Sequence, residues 1–156
     1  ILLNRVRLTT APTAVQRWMV MGMNNALYHL CRHNVSIMDG WIPMPSTALS
    51  KVLGESLYKT RKKLKFLKEQ GLVESVRYCN VTEDGNYLIS GYQITEKAKS
   101  TPEYEMAWNE ERKLCKEVFG FDIGEVGYDP YKEIFGVEKI CVIHNLMDDK
   151  RIYDLS

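Results

Sequence analysis

The stretch SLYKTRKKLKFLKEQGLVESV, from Ser56 to Val76, decides how the fold is interpreted. Six of the ten residues from Lys59 to Lys68 are Lys or Arg. Other side chains recur among them at spacings of three and four, the period of an amphipathic helix. This stripe consists of Leu57, Thr60, Leu64 and Leu67. The pattern predicts a helix that is capped by Ser56, ends at Gly71 and turns a cationic face away from the core.

The residues before this helix predict two further helices. A helical pattern begins at 10–12 (Thr-Ala-Pro) and continues to about His33. A loop and the short extended segment 41–45 (WIPMP) follow. Ser46 is expected to cap a helix over 47–53, which Gly54 ends, so only a tight turn separates it from the basic helix.

The residues after it predict a hairpin, a helix and an extension. LVESVRYC and YLISGYQIT are typical of two strands, joined by a turn at 84–85 (Asp-Gly). A helix is expected from Thr101 to Gly120. Its inner stripe is predicted to run through Tyr104, Ala107, Trp108, Glu111, Leu114, Cys115 and Val118, with Glu111 as the exception. Residues 121–135 are expected to form mainly a loop, 139–146 a buried strand, and 147–156 a peripheral tail.

Charge is distributed unevenly along a chain whose net charge is only +1. Residues 46–99 carry ten basic and six acidic side chains, whereas residues 100–156 carry seven basic and thirteen acidic ones. The basic part favours a face that attracts a polyanion. The predicted order of helix, short strand, helix, tight turn, helix and hairpin is that of a winged helix-turn-helix, so we predict a winged-helix domain with its N-terminal helix at 1–99. Residues 100–156 are predicted to form a C-terminal helix and extension that serves dimerisation or partner binding.

The segment STALSKVLGESLYKTRKKLKFLKEQGLVESV resembles the helix-turn-helix of MarR-like regulators and phage-type replication proteins. In those families the second helix ends in a Leu-x-x-x-Gly-Leu-Val pattern, which here is formed by Leu67, Gly71, Leu72 and Val73. DGWIPMP resembles their short strand that pairs with the wing, and GNYLISGYQIT resembles their second wing strand. The resemblance covers about residues 40–99. It implies an α+β fold: a winged helix-turn-helix with a flanking N-terminal helix and a C-terminal helical and strand extension.

A helix-turn-helix places its second helix in the major groove, where N-terminal residues meet base edges. The candidate DNA-binding residues are Ser56, Tyr58, Lys59, Arg61, Lys62, Lys63, Lys65, Lys68 and Arg77. Because Lys neutralises phosphate as a point charge while Arg can bind guanine through two bonds, this Lys-rich set favours backbone contacts over base recognition.

The wing departs from this pattern. Its tip carries Glu83 and Asp84, which phosphate would repel. Either the wing stays off DNA, or it contacts a protein.

These patterns leave three functions open. The first is a double-stranded DNA-binding protein, a transcriptional regulator; the second is a phage- or plasmid-type replication accessory protein. The third is a winged helix that binds a protein partner through the acidic wing or the C-terminal region. By resemblance to MarR-like proteins, the helices at 10–33 and 102–119 are candidate homodimer surfaces, and packing within their own domain is the alternative.

Other classes of function find little support. We expect no enzymatic activity, no cofactor and no metal site: His29 and His33 share a helix face but lack a second ligand pair. The adjacent acids at 110–111 are expected to be solvated. The four scattered cysteines favour buried thiols in a reducing compartment, and with no membrane-spanning pattern we expect a cytoplasmic protein without a membrane partner.

Overall fold

A computed structural model describes residues 14–37, 39–40, 42–125 and 152–155 of the chain. The described elements form an α+β fold. Their bounds are α1 Ala14–Val35, α2 Ser46–Leu53, α3 Leu57–Glu69, β1 Val73–Thr82, β2 Gly85–Ile94, a 3-10 helix Glu96–Ser100, α4 Pro102–Phe119 and β3 Ile152–Asp154. The predicted order of helix, helix, tight turn, helix and hairpin is confirmed.

Local signals set the ends of α2 and α3. The Ser56 hydroxyl accepts a hydrogen bond from the Lys59 N–H at 3.2 Å, so the predicted cap of α3 is confirmed. The predicted cap of α2 is wrong by one residue: Pro45 takes that position and Ser46 is already helical. Gly54 ends α2 with a φ of +65°, a left-handed conformation that favours glycine.

The predicted stripe of α3 packs on α1. Thr60, Leu64 and Leu67 are fully buried, while Leu57 is half-buried. Their neighbours in the core include Ala26, Leu27 and Leu30 of α1 and Leu49 of α2. This burial explains why α3 remains a helix although half of its residues are cationic, since helix stability in proteins comes mainly from a packed apolar face.

The short segment before α2 pairs with the hairpin. Met44 forms a two-bond bridge with Tyr92 of β2, at 2.8 and 2.9 Å, which confirms an extended segment here. Gly91 permits this approach, because a Cβ there would lie 2.6 Å from the Met44 carbonyl.

The sheet order is β2-β1-β3, with both neighbours of β1 antiparallel to it. The Glu83–Asp84 loop joins β1 to β2, because Thr82 pairs with Gly85.

The C-terminal end of the chain contributes a strand that sequence patterns did not predict. Residues 152–154 of the tail pair with Asn80, Cys79 and Tyr78 of β1. The tail as a whole is polar, and although Ile152 and Tyr153 suit a strand, the short run becomes one by pairing with the edge of β1. The predicted loop beyond residue 125 and the predicted strand at 139–146 lie outside the described residues, as do residues 1–13.

α4 packs against α1 along part of the predicted stripe, and Tyr104 and Trp108 contact the core. Ala107 and Cys115 are buried as expected, but Leu114 and Val118 are exposed, and Glu103 and Glu111 are buried instead. Glu111 was expected to be solvated, yet its side chain is only 4% exposed. Its carboxylate lies 3.0 Å from the guanidinium of Arg32 on α1. This charge partner permits the burial of a carboxylate at the helix interface.

No helix in the described ranges has the length and apolar character that crossing a membrane requires.

Candidate nucleic-acid interface

The face of α3 opposite the buried stripe is exposed to solvent, and most of its residues are basic. Five of its basic residues are exposed: Lys59, Arg61, Lys62, Lys65 and Lys68. Tyr58 lies on the same face, 69% exposed, and the Lys62 ammonium stands 5.0 Å from its ring centroid. Ser56 is also exposed, but its hydroxyl caps the helix. The face thus combines phosphate-neutralising charge with one aromatic side chain near the start of the helix.

Lys63 differs from the other predicted contacts. Its ammonium forms a 2.5 Å ion pair with Glu55, and both side chains are largely covered. The other Glu55 oxygen accepts a hydrogen bond from the Thr60 hydroxyl at 3.1 Å. Lys63 also lies over Gly22 of α1, where a Cβ would come within 3.2 Å of the ammonium. Its charge is therefore engaged in holding the turn and α1 against α3.

One side of α3 faces the sheet across a cleft of about 410 Å³. Arg61 of α3 and Arg77 of β1 both line it, so two predicted residues 16 positions apart share one concave surface. The first turn of α2, at Ser46 and Thr47, lines the same cleft. Its backbone N–H groups lack acceptors within the helix, and the helix dipole is positive there. Sequence reasoning did not identify this α2 contribution, although Ser-Thr after a proline marks a helix start.

The other side of α3 faces α1 across a cleft of about 450 Å³. Met23 and Phe66 supply apolar surface, and four lysines and Glu69 surround it. These lysines are Lys59, Lys62, Lys63 and Lys65. Positive charge therefore extends over both flanks of α3 as well as along its outer face.

Lys68 extends this surface toward the sheet. Its ammonium donates to the Ser75 hydroxyl at 3.1 Å, at the start of β1. Arg77 is exposed two residues further along the same strand. The basic groups thus form one continuous surface from the start of α3 to the base of the hairpin.

The acidic tip of the hairpin is separated from this surface. Glu83 and Asp84 are exposed at the end of two ten-residue strands. Thr82 is five residues beyond Arg77 on β1, which at about 3.3 Å per residue places the tip roughly 17 Å or more along the strand from Arg77. Screening at physiological salt acts over about 8 Å, so the tip carboxylates weaken the field at α3 only slightly.

The histidines take structural positions at the end of α1. The His33 Nε2 lies 2.6 Å from the Ile42 carbonyl oxygen, which ties α1 to the segment before Met44. His29 contacts the edge of the Tyr28 ring, and partial burial lowers its pKa. Among the described residues, no three His, Cys, Asp or Glu side chains are grouped closely enough to hold a metal ion.

Comparisons of the chain with protein-family models, with curated proteins and with solved structures gave no match.

Proposed function

We propose that the chain binds double-stranded DNA through a winged helix-turn-helix, as a transcriptional regulator. The observation that carries this proposal is the exposed cationic face on α3, the second helix of a pair joined by a three-residue turn. In helix-turn-helix proteins this second helix enters the major groove.

The order of elements supports the winged-helix assignment. The bridge between Met44 and Tyr92 stands where the short strand of such a domain pairs with the wing. β1 and β2 then correspond to the wing, and they follow α3 directly.

The charges support duplex DNA as the partner. Five basic residues of α3 are exposed, and Arg77 lines the same cleft as Arg61. Most of them are lysines, so the bulk of the affinity is expected from phosphate contacts, with Arg61 and Arg77 as candidates for base or minor-groove contacts. We leave Lys63 out of the contact set, because its charge is neutralised by Glu55.

A triple variant tests the proposal. Replacing Lys59, Arg61 and Lys62 with alanine removes charge from the first two turns of α3 without touching its buried stripe. We expect its affinity for a generic duplex at low salt to fall by about two orders of magnitude or more, with an unchanged circular dichroism spectrum. The matched control replaces Lys113 and Lys116 on α4, which are also exposed, and should bind like the wild type. Equal binding by the triple variant and the control would show that α3 is not the DNA-binding helix.

The acidic wing favours a second candidate, a winged helix that binds a protein. Glu83 and Asp84 at the tip, with exposed Tyr87 and Leu88 behind them, are unlike a DNA-contacting surface. Absence of binding to any duplex at low salt would favour this candidate. A replication accessory protein would use the same α3 surface, and footprints that form an array of repeats, in place of one promoter site, would distinguish it from a regulator.

A further inference from the structure

The edge of β2 that faces away from β1 forms backbone hydrogen bonds near its C-terminal end. Tyr92 exchanges two backbone hydrogen bonds with Met44, and the Ile94 N–H donates to the Asn34 side-chain oxygen at 2.7 Å. The backbone groups of Tyr92 and Ile94 therefore point away from β1. Since these directions alternate along an antiparallel strand, those of Asn86, Leu88 and Ser90 also point outward. Within the described ranges, no backbone segment pairs with this part of the edge.

The open part of β2 lacks the features that normally protect an edge strand. Residues 86–91 (NYLISG) contain no charged side chain and no proline. Tyr87 and Leu88 are 54% and 58% exposed, and their side chains emerge on opposite faces of the sheet. β1 differs, because β3 covers its outer edge at residues 78–80. Among the residues that the structure describes, the hairpin thus has one edge covered at 78–80 and one edge that is open and uncharged at 86–91.

The open edge is complementary to itself. If Leu88 of two copies lies on a two-fold axis, Leu88 pairs with its symmetry mate and Asn86 pairs with Ser90 of the other copy. Every outward N–H and C=O of these three residues then has a partner. Any other antiparallel register satisfies fewer of them.

Electrostatics permit this arrangement. In the antiparallel register each acidic tip points away from the axis, and the two tips lie roughly 30 Å apart at about 3.4 Å per residue. That distance exceeds the screening length at physiological salt. No like charges face each other across the paired residues.

We propose that two copies of this chain associate through β2, in an antiparallel strand pair centred on Leu88 that joins their sheets. This inference does not depend on DNA binding. It gives a role to a segment of β2 that carries no positive charge for contacting phosphate.

Sedimentation equilibrium of the wild-type chain and of two lysine variants tests the proposal. Leu88→Lys places two ammonium groups at the axis, and we expect it to raise the dimer dissociation constant about tenfold or more. Val118→Lys is the matched control, since Val118 is 63% exposed on α4, the alternative dimer surface. It should leave the constant unchanged. A wild-type chain that stays monomeric to high micromolar concentration, or a dimer lost in Val118→Lys and kept in Leu88→Lys, overturns the proposal.

Disulfide formation tests the register independently of the lysine variants. The register places Tyr87 opposite Ile89 of the other copy in a non-hydrogen-bonded pair, with a Cα–Cα distance of about 4.5 Å that suits a disulfide. Mixing Tyr87→Cys with Ile89→Cys should give a cross-linked heterodimer under mild oxidation, whereas either variant alone should give none at these positions. A dimer that fails to cross-link in the mixture has a different interface.

Discussion

α3 and α4 are both amphipathic helices rich in charge, yet they use their charges in opposite ways. On α4, Glu111 pairs with Arg32, and Arg112 forms two hydrogen bonds with Asp122 at 2.7 and 2.8 Å. On α3, only Lys63 forms an ion pair among the described residues. Charge that is paired inside the molecule fixes the fold, whereas charge left at the surface is available to a partner. The difference supports the proposal that α3 is the helix that contacts a partner.

The largest expected effect is a loss of stability when the buried stripe of α3 is disrupted. Both α3 and α4 have such a stripe. Leu64 is fully buried between α1 and α3, so Leu64→Ala should lower the free energy of unfolding by about 2–5 kcal/mol. Urea unfolding measures this. Leu114→Ala on α4 is the control, because Leu114 is 44% exposed and its replacement should change stability by less than about 1 kcal/mol. Equal effects would mean that the stripe assignments are mistaken.

The next effect concerns the paired charge of α4. Glu111→Ala removes the partner of Arg32, whose side chain is about one-quarter exposed, and should cost about 1–3 kcal/mol of unfolding free energy after allowance for solvent screening. Glu110→Ala is a matched control. Glu110 lies 3.6 Å from Arg32 and accepts a bond from Tyr28, but it is nearly half exposed, so the expected cost is below about 1 kcal/mol. If both variants are equally stable, the buried pair does not hold α4.

A smaller effect separates two lysines within α3. Lys65 is exposed and forms no ion pair with the described residues, whereas Lys63 is bound to Glu55. Lys65→Ala should weaken duplex binding about fivefold, as expected for one phosphate contact, while Lys63→Ala should change it by less than about twofold. Fluorescence anisotropy with one labelled duplex measures both. A reversed ranking would show that Lys63 leaves Glu55 when DNA binds.

The smallest effect is a pH dependence at the end of α4. Two hydrogen bonds from Arg112, with one from the Gly124 N–H, lower the pKa of Asp122 to about 2. A lowered folded-state pKa gives stability that is complete above the ordinary Asp pKa of about 3.9 and disappears as the pH falls through about 2. Asp122→Asn should therefore be slightly less stable than the wild type at pH 7 and equally stable near pH 2. Thermal unfolding across this range checks it, and a difference that stays constant with pH would contradict it.

Much of the helical framework could be predicted from sequence, because its signals are local. Ser56, Gly54 and Gly71 set the ends of α2 and α3, and the spacing of Leu64 and Leu67 defines the buried face. These depend on neighbours within one helical turn, which a sequence displays directly.

The remaining features depend on contacts between distant segments. Burial of Glu111 requires Arg32, 79 residues away, and β3 requires the edge of β1. The same holds for the candidate interface: the exposed lysines follow from periodicity, but the Lys63–Glu55 pair and the cleft shared by Arg61 and Arg77 follow from tertiary packing. Composition alone does not distinguish a paired charge from an available one.

The salt dependence of duplex binding tests the central claim most directly. Five exposed basic residues on α3 and Arg77 predict a slope of log K against log salt concentration of about −5, since each neutralised phosphate contributes about −0.9. Removing Lys59 and Arg61 together should reduce the magnitude of this slope by about 2, to roughly −3.6. A wild-type slope near zero, or a slope that the double variant leaves unchanged, would contradict the claim that the charge available on α3 is what binds DNA.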